Sequence, residues 1–129
     1  MSKKVARVPE AELDIMIILW RTAKPMKVSD ICSDLQSYRK CSKAAVHTLI
    51  DRLSKRGFVK IEHVEASLPY KLIHPLVTEE EYRALESETL IEKLCRGKWQ
   101  PLIASLYDSG KLTQNDIDEI AAMLNGKDK

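Results

Sequence analysis

Aromatic residues are scarce in this sequence: two Trp, four Tyr and one Phe make up 5% of 129 positions. That argues against a base-stacking platform of the kind single-strand nucleic-acid binders use. No apolar run approaches the roughly 20 residues that span a bilayer. Ile15 to Trp20 is too short, and follows too closely on Glu12 and Asp14, to be a signal segment. Cysteine is limited to Cys32, Cys41 and Cys95, an odd number without a CxxC pair. This argues against a disulfide framework and for a reducing compartment, so the expected location is the cytoplasm. The three histidines and three cysteines never reach metal-ligand spacing, and no metal site or cofactor is expected. A phosphate-binding glycine loop, a nucleophile–base pairing and a carboxylate cluster outside helix caps are all missing, so the sequence does not read as an enzyme.

Charge is unevenly distributed. Residues 1–75 carry 14 Lys/Arg against 8 Asp/Glu, whereas residues 76–129 carry 7 against 11. A basic front half is the footprint of a nucleic-acid contact, with a different task behind it. The length fits one domain, or one domain with a small appendage.

The stretch Cys41–Gly57 organises the front half. Val46, Leu49, Ile50 and Leu53 recur at i, i+3, i+4 and i+7, which puts an apolar stripe along one side of a helix. Ser42 suits the N-cap, and Gly57 can adopt the left-handed conformation that ends a helix. Outside the stripe stand Lys43, Ala44, His47, Thr48, Asp51 and Lys55, with Arg52 and Arg56 on the flanks. Such a face is slim, polar and basic at its end, as a helix entering a DNA major groove must be. An ordinary amphipathic helix with a solvated side would read the same way. His47 is the candidate base reader, and Arg52, Lys55 and Arg56 are candidate phosphate clamps. Asp51 is expected to pair with Lys55 at i, i+4.

The surroundings favour the DNA reading. Ser2–Arg7 is a short basic leader, and Leu13, Met16, Ile17 and Trp20 predict a buried supporting helix. Val28, Ile31, Cys32 and Leu35 predict a helix over 28–38, joined to the next by a very short polar link: a helix-turn-helix. Residues 58–63 and 69–74 read as two strands of a hairpin, the wing of a winged helix. Thr78–Glu81 is a capping box that launches a helix toward Gly97. Trp99, Leu102, Ile103 and Leu106 make another apolar stripe, with Trp99 and Trp20 expected as core anchors. Ile117, Ile120 and Leu124 line a last helix, expected to stop at Asn125-Gly126. These helices are too small for a core of their own, so their apolar faces predict pairing with a second copy. The fold class is therefore mainly α with a small β-hairpin: a winged helix-turn-helix over 1–76, then a helical dimerisation region over 77–129.

Pro9-Glu10-Ala11-Glu12-Leu13-Asp14-Ile15-Met16, Thr48-Leu49-Ile50-Asp51-Arg52-Leu53, Tyr70-Lys71-Leu72, Glu80-Glu81-Tyr82 and Ile117-Asp118-Glu119-Ile120 follow in an order and spacing that resemble the penicillinase-repressor family (BlaI/MecI/CopY type). The resemblance covers nearly the whole chain. It implies a homodimeric winged-helix repressor that binds an inverted-repeat operator on double-stranded DNA and blocks transcription. It also implies a membrane sensor protease as partner, whose cleavage of the C-terminal region lifts repression. By match to the family's recognition helix, Ser42, Lys43, Ala44, Ala45, His47, Thr48 and Arg52 face DNA, with Lys55 and Arg56 toward the backbone. The chain departs from the family in three places. Cys41-Ser42-Lys43-Ala44-Ala45 stands where the family has Trp-Ser-Pro-Lys-Thr, and the wing tip Glu65-Ala66-Ser67 has no cation. Ser105-Leu106 stands where the β-lactam-responsive members are cut. A winged-helix module for protein assembly, with specific DNA binding lost, is the competing reading, and the acidic wing tip and Asp51 speak for it.

Overall fold

The computed structural model describes residues 7–127; of the basic leader only Arg7 falls among them. By packing, the chain divides into two units, the first reaching Glu86 and the second beginning at Ser87.

In the first unit, α1 (Glu10–Thr22) is the expected support, but its buried face is Ile15, Met16, Ile18 and Leu19. Of the expected stripe only Met16 is buried, while Leu13, Ile17 and Trp20 are half-buried. α2 (Val28–Leu35) directs Val28, Ile31 and Leu35 inward. It ends three residues earlier than the sequence pattern predicts, because residues 36–38 leave the helix as turns. Ser37 and Tyr38 there donate their N–H groups to the carbonyls of Asp34 and Leu35. α3 (Lys43–Lys55) buries Val46, Ile50 and Leu53. Gly57, at φ 81°, supplies the left-handed turn that lets Phe58 N–H return to Leu53 C=O at 2.9 Å. Phe58 is thereby buried, and its ring meets Tyr82 edge-on at 5.9 Å.

β2 (Val59–Val64) and β3 (Tyr70–Pro75) form the expected antiparallel hairpin, in register from Val59 opposite Pro75 to Val64 opposite Tyr70. Both begin one residue later than predicted, with Pro69 just ahead of β3. A third strand was not foreseen: β1 (Met26–Lys27) pairs with β3, so the sheet order is β1-β3-β2. Two residues are too short to show a period of two, and only their partner reveals them as a strand. Helix–strand–helix–helix–hairpin in this arrangement is a winged helix.

The core of this unit continues past residue 76. Val77 and Tyr82 are buried, Trp20 Nε1 donates to Val77 C=O at 2.8 Å, and the Val8 N–H donates to the Tyr82 hydroxyl at 3.0 Å. Packing therefore carries the start of α4 (Glu79–Thr89) with the winged helix. The capping box forms as read: Thr78 N–H reaches Glu81 Oε1 at 2.9 Å, and Glu81 N–H reaches Thr78 Oγ1 at 3.0 Å.

Beyond Glu86, α4 gives way to a π-helical turn (Leu90–Leu94), closed by Arg96 and Gly97 at positive φ. α5 (Gln100–Asp108) and α6 (Gln114–Lys127) follow. Thr113 and Asp116 cap α6 reciprocally, at 2.9 and 3.2 Å. Donation from the Thr113 backbone N–H, and next from its side chain, holds the Asp116 carboxyl below its ordinary pKa. The stop expected at Asn125-Gly126 is not there, since α6 runs through both. A glycine weakens a helix by roughly 1 kcal/mol without breaking it. Trp99 is also not a core anchor: it is 60% exposed, because this unit is three short helical pieces with little interior to offer.

Candidate nucleic-acid interface

The site begins at the cap of α3. Ser42 Oγ accepts the Ala45 N–H at 3.1 Å, which fixes where the helix starts and hence which residues face outward. With Val46, Ile50 and Leu53 turned inward, Ser42, Lys43, Ala44, Thr48, Arg52, Lys55 and Arg56 are exposed, and Ala45 and His47 are half-buried. All nine expected contact residues thus remain reachable on one element. Thr48 Oγ1 donates back to Ala44 C=O at 3.2 Å, which pins its rotamer while leaving the oxygen free to accept.

The cations of α3 are not equivalent. Arg56 Nε donates to Glu12 Oε1 at 2.9 Å, and that carboxylate is 1% exposed. Part of the Arg56 guanidinium therefore neutralises a buried charge on α1, and only its remaining N–H groups can reach a phosphate. Arg39, in the link before α3, is engaged in the same way by Asp14 at 2.9 Å. Among the described residues Lys43, Arg52 and Lys55 form no ion pair, and the predicted Asp51–Lys55 pair is absent. Both side chains are exposed, and water competes effectively for such pairs.

Beside the first turns of α3 lies a notch of about 280 Å³ that sequence reasoning missed. Lys27 from β1, Val28 and Ser29 from the start of α2, Lys43 and His47 from α3, and Pro69, Tyr70 and Lys71 from the wing all line it. Three lysines and a histidine face it, with no carboxylate. Lys27 Nζ sits 4.4 Å from the centroid of the Tyr70 ring, a cation–π contact that holds it at the rim. Lys27 belongs to the two-residue strand, and nothing in its neighbourhood in sequence links it to Tyr70. The wing tip carries no cation, as its sequence says, and Leu68 there is 84% exposed. The positive charge of the wing comes instead from its strands: Lys71 stands opposite His63, one pair in from the tip, and Lys60 stands opposite His74 near the base.

The sequence as a whole matches the penicillinase repressor family over residues 8–126. This chain belongs to that family. It is 28% identical over 127 residues to the methicillin resistance regulatory protein MecI of Mammaliicoccus sciuri, covering 98% of this chain and 100% of that one. It is 26% identical over 125 residues to a penicillinase repressor of Staphylococcus aureus, covering 97% and 96%. An uncharacterised 16.5 kDa protein of Latilactobacillus sakei is 30% identical over 129 residues, covering 98% and 84%. Among solved structures, the DNA-binding domain of the repressor BlaI matches 63% of this chain and 94% of its own, at 22% identity and a TM-score of 0.49.

The apolar residues predicted for pairing lie in the second unit. Trp99, Ile120 and Leu124 are exposed, while Leu102, Ile103, Leu106 and Ile117 are half-buried. Tyr107 and Met123 are exposed as well, at 50% and 55%, and were not foreseen. Among the described residues no group of His, Cys, Asp and Glu could hold a metal ion, and no helix is long and apolar enough to cross a membrane.

Proposed function

We propose that this repressor-family chain acts in the cytoplasm as a homodimeric transcriptional repressor without catalytic activity, laying α3 of each copy into the major groove of an inverted-repeat operator. The observation that supports this best is the outward face of α3: Ser42, Lys43, Ala44, Ala45, His47, Thr48 and Arg52, slim and free of bulky hydrophobes, ending in Lys55 and Arg56. His47 and the residues near the N-terminus reach base edges, where an imidazole can donate or accept. Arg52 and Lys55 contact phosphates, and the lysines of the notch hold the neighbouring strand. Two recognition helices need a fixed spacing, and the apolar residues Trp99, Leu102, Ile103, Leu106, Ile117, Ile120 and Leu124 supply the surface that sets it.

The releasing partner in this reading is a sensor protease, as the family resemblance implies. The Ser105-Leu106 bond lies inside α5, so a protease acting there must first unwind that turn.

Fluorescence anisotropy with a duplex from the promoter of the chain's own gene tests this at two salt concentrations. Affinity should fall steeply with salt, and Lys27→Ala and Lys71→Ala should each lower the salt slope by about 1. His47→Ala should change operator preference, whereas Arg52→Ala should weaken all duplexes about equally. The exposed Leu68 and acidic Glu65 of the wing tip favour the competing reading, a protein-assembly module. Absence of duplex binding at low salt would decide for that module.

A further inference from the structure

The two thiols of the first unit flank the seam between the helices of the helix-turn-helix. Cys32 lies on α2, and Cys41 is the residue just before the Ser42 cap of α3. Both are free, half-buried and packed against the core. One side chain ties their backbones together: Gln36 Nε2 donates to Cys32 C=O at 3.2 Å and to Cys41 C=O at 3.1 Å. We infer that Cys32 and Cys41 form an oxidisable dithiol, which hydrogen peroxide closes to a disulfide across the helix-turn-helix, and that the bridge loosens the grip of α3 on DNA.

The geometry supports closure. Two carbonyls within hydrogen-bond distance of one nitrogen hold the α2 wall and the start of α3 side by side, and the short link between them can adjust to the bond's required geometry. Burial pushes the Cys32 thiol above its ordinary pKa, Lys43 draws it down, and Cys41 raises it further. The same burial disfavours the Cys32 thiolate, and the first step is therefore assigned to Cys41. Its thiolate attacks the peroxide O–O bond, giving a sulfenic acid and releasing one hydroxide, which is protonated to water. Cys32, on losing its proton, then attacks the Cys41 sulfur. The S–S bond forms, the S–O bond breaks and a second water leaves, so that two thiols and one peroxide give a disulfide and two waters. Because Cys41 directly precedes the cap, the bridge shifts the first turn of α3, where the base-reading side chains stand. The chemistry holds independently of the DNA reading, and only the effect on binding rests on it.

Full-length protein treated with hydrogen peroxide provides the test. Of the three free thiols, only Cys95, in the second unit and buried, should still titrate after denaturation. The intact monomer should lose two hydrogen atoms in mass, and a Cys32–Cys41 cross-linked peptide should appear. Binding to the promoter duplex should weaken by about tenfold, the scale of losing one good base contact, and recover with dithiothreitol. Cys32→Ser and Cys41→Ser should each prevent the bridge, and Cys95→Ser should not. Three intact thiols, sulfinic acid on single cysteines, or a disulfide between copies would overturn the assignment. A bridge that forms with duplex affinity unchanged would overturn its regulatory role. A reduced protein that ignores the duplex would contradict the DNA reading while leaving the thiol result to be judged by itself.

Discussion

Alanine in place of Arg56 is expected to cost about 2 kcal/mol of folding stability, although the side chain lies at the protein surface. Glu12 is 1% exposed, and the Arg56 guanidinium is its ion-pair partner at 2.9 Å. Removing one member of a buried pair typically costs about 3–5 kcal/mol, because the other charge is left without water or partner. Arg56 is 40% exposed, so part of that loss is screened and the lower figure applies. Lys55→Ala, one residue away and in no ion pair, should change stability by less than about 0.5 kcal/mol. Urea denaturation of the two variants separates them. Equal stabilities would show that the Glu12 carboxylate does not depend on Arg56. Glu12→Gln should fall between, since an amide keeps the hydrogen bond and drops the charge.

The second large effect is on binding. A chain stopped after Thr89 should fold and yet lose about 10²–10⁴-fold in affinity for the operator duplex. Folding should survive because, Cys95 apart, every buried hydrophobic among the described residues lies at or before Tyr82. Affinity should fall because the truncated chain lacks Trp99, Ile120, Leu124 and their neighbours, and so loses the second reading head. Sedimentation should find it monomeric and the full chain dimeric. A truncated chain that binds as tightly as the full one would show that the second unit does not couple two copies.

What the sequence reveals of this protein depends on whether the deciding contacts are local. α3 was legible because each of its determinants lies within the helix or next to it: the Ser42 cap, the Val46, Ile50 and Leu53 stripe, and the Gly57 turn. The capping boxes at Thr78 and Thr113 were legible for the same reason, each being closed over three residues. The notch was not, since Lys27 takes its place from a two-residue strand paired with β3 and from the ring of Tyr70. Nor was the link from Arg56 to Glu12 visible, because a cation at the end of a recognition helix looks the same whether it faces a phosphate or a buried carboxylate. Trp99 reads as inward by its apolar period alone. Period distinguishes one side of a helix from the other, and it cannot say whether the same chain provides anything to cover that side.

The arrangement of two α3 helices on one operator is tested most directly by a hydroxyl-radical footprint of the full-length protein on the promoter of its own gene. Two protected half-sites should appear, related by an inverted repeat, with centres about 10–10.5 base pairs apart or a multiple of that. A single isolated half-site, or uniform protection that vanishes once competitor DNA is added, would contradict paired sequence-specific reading by α3.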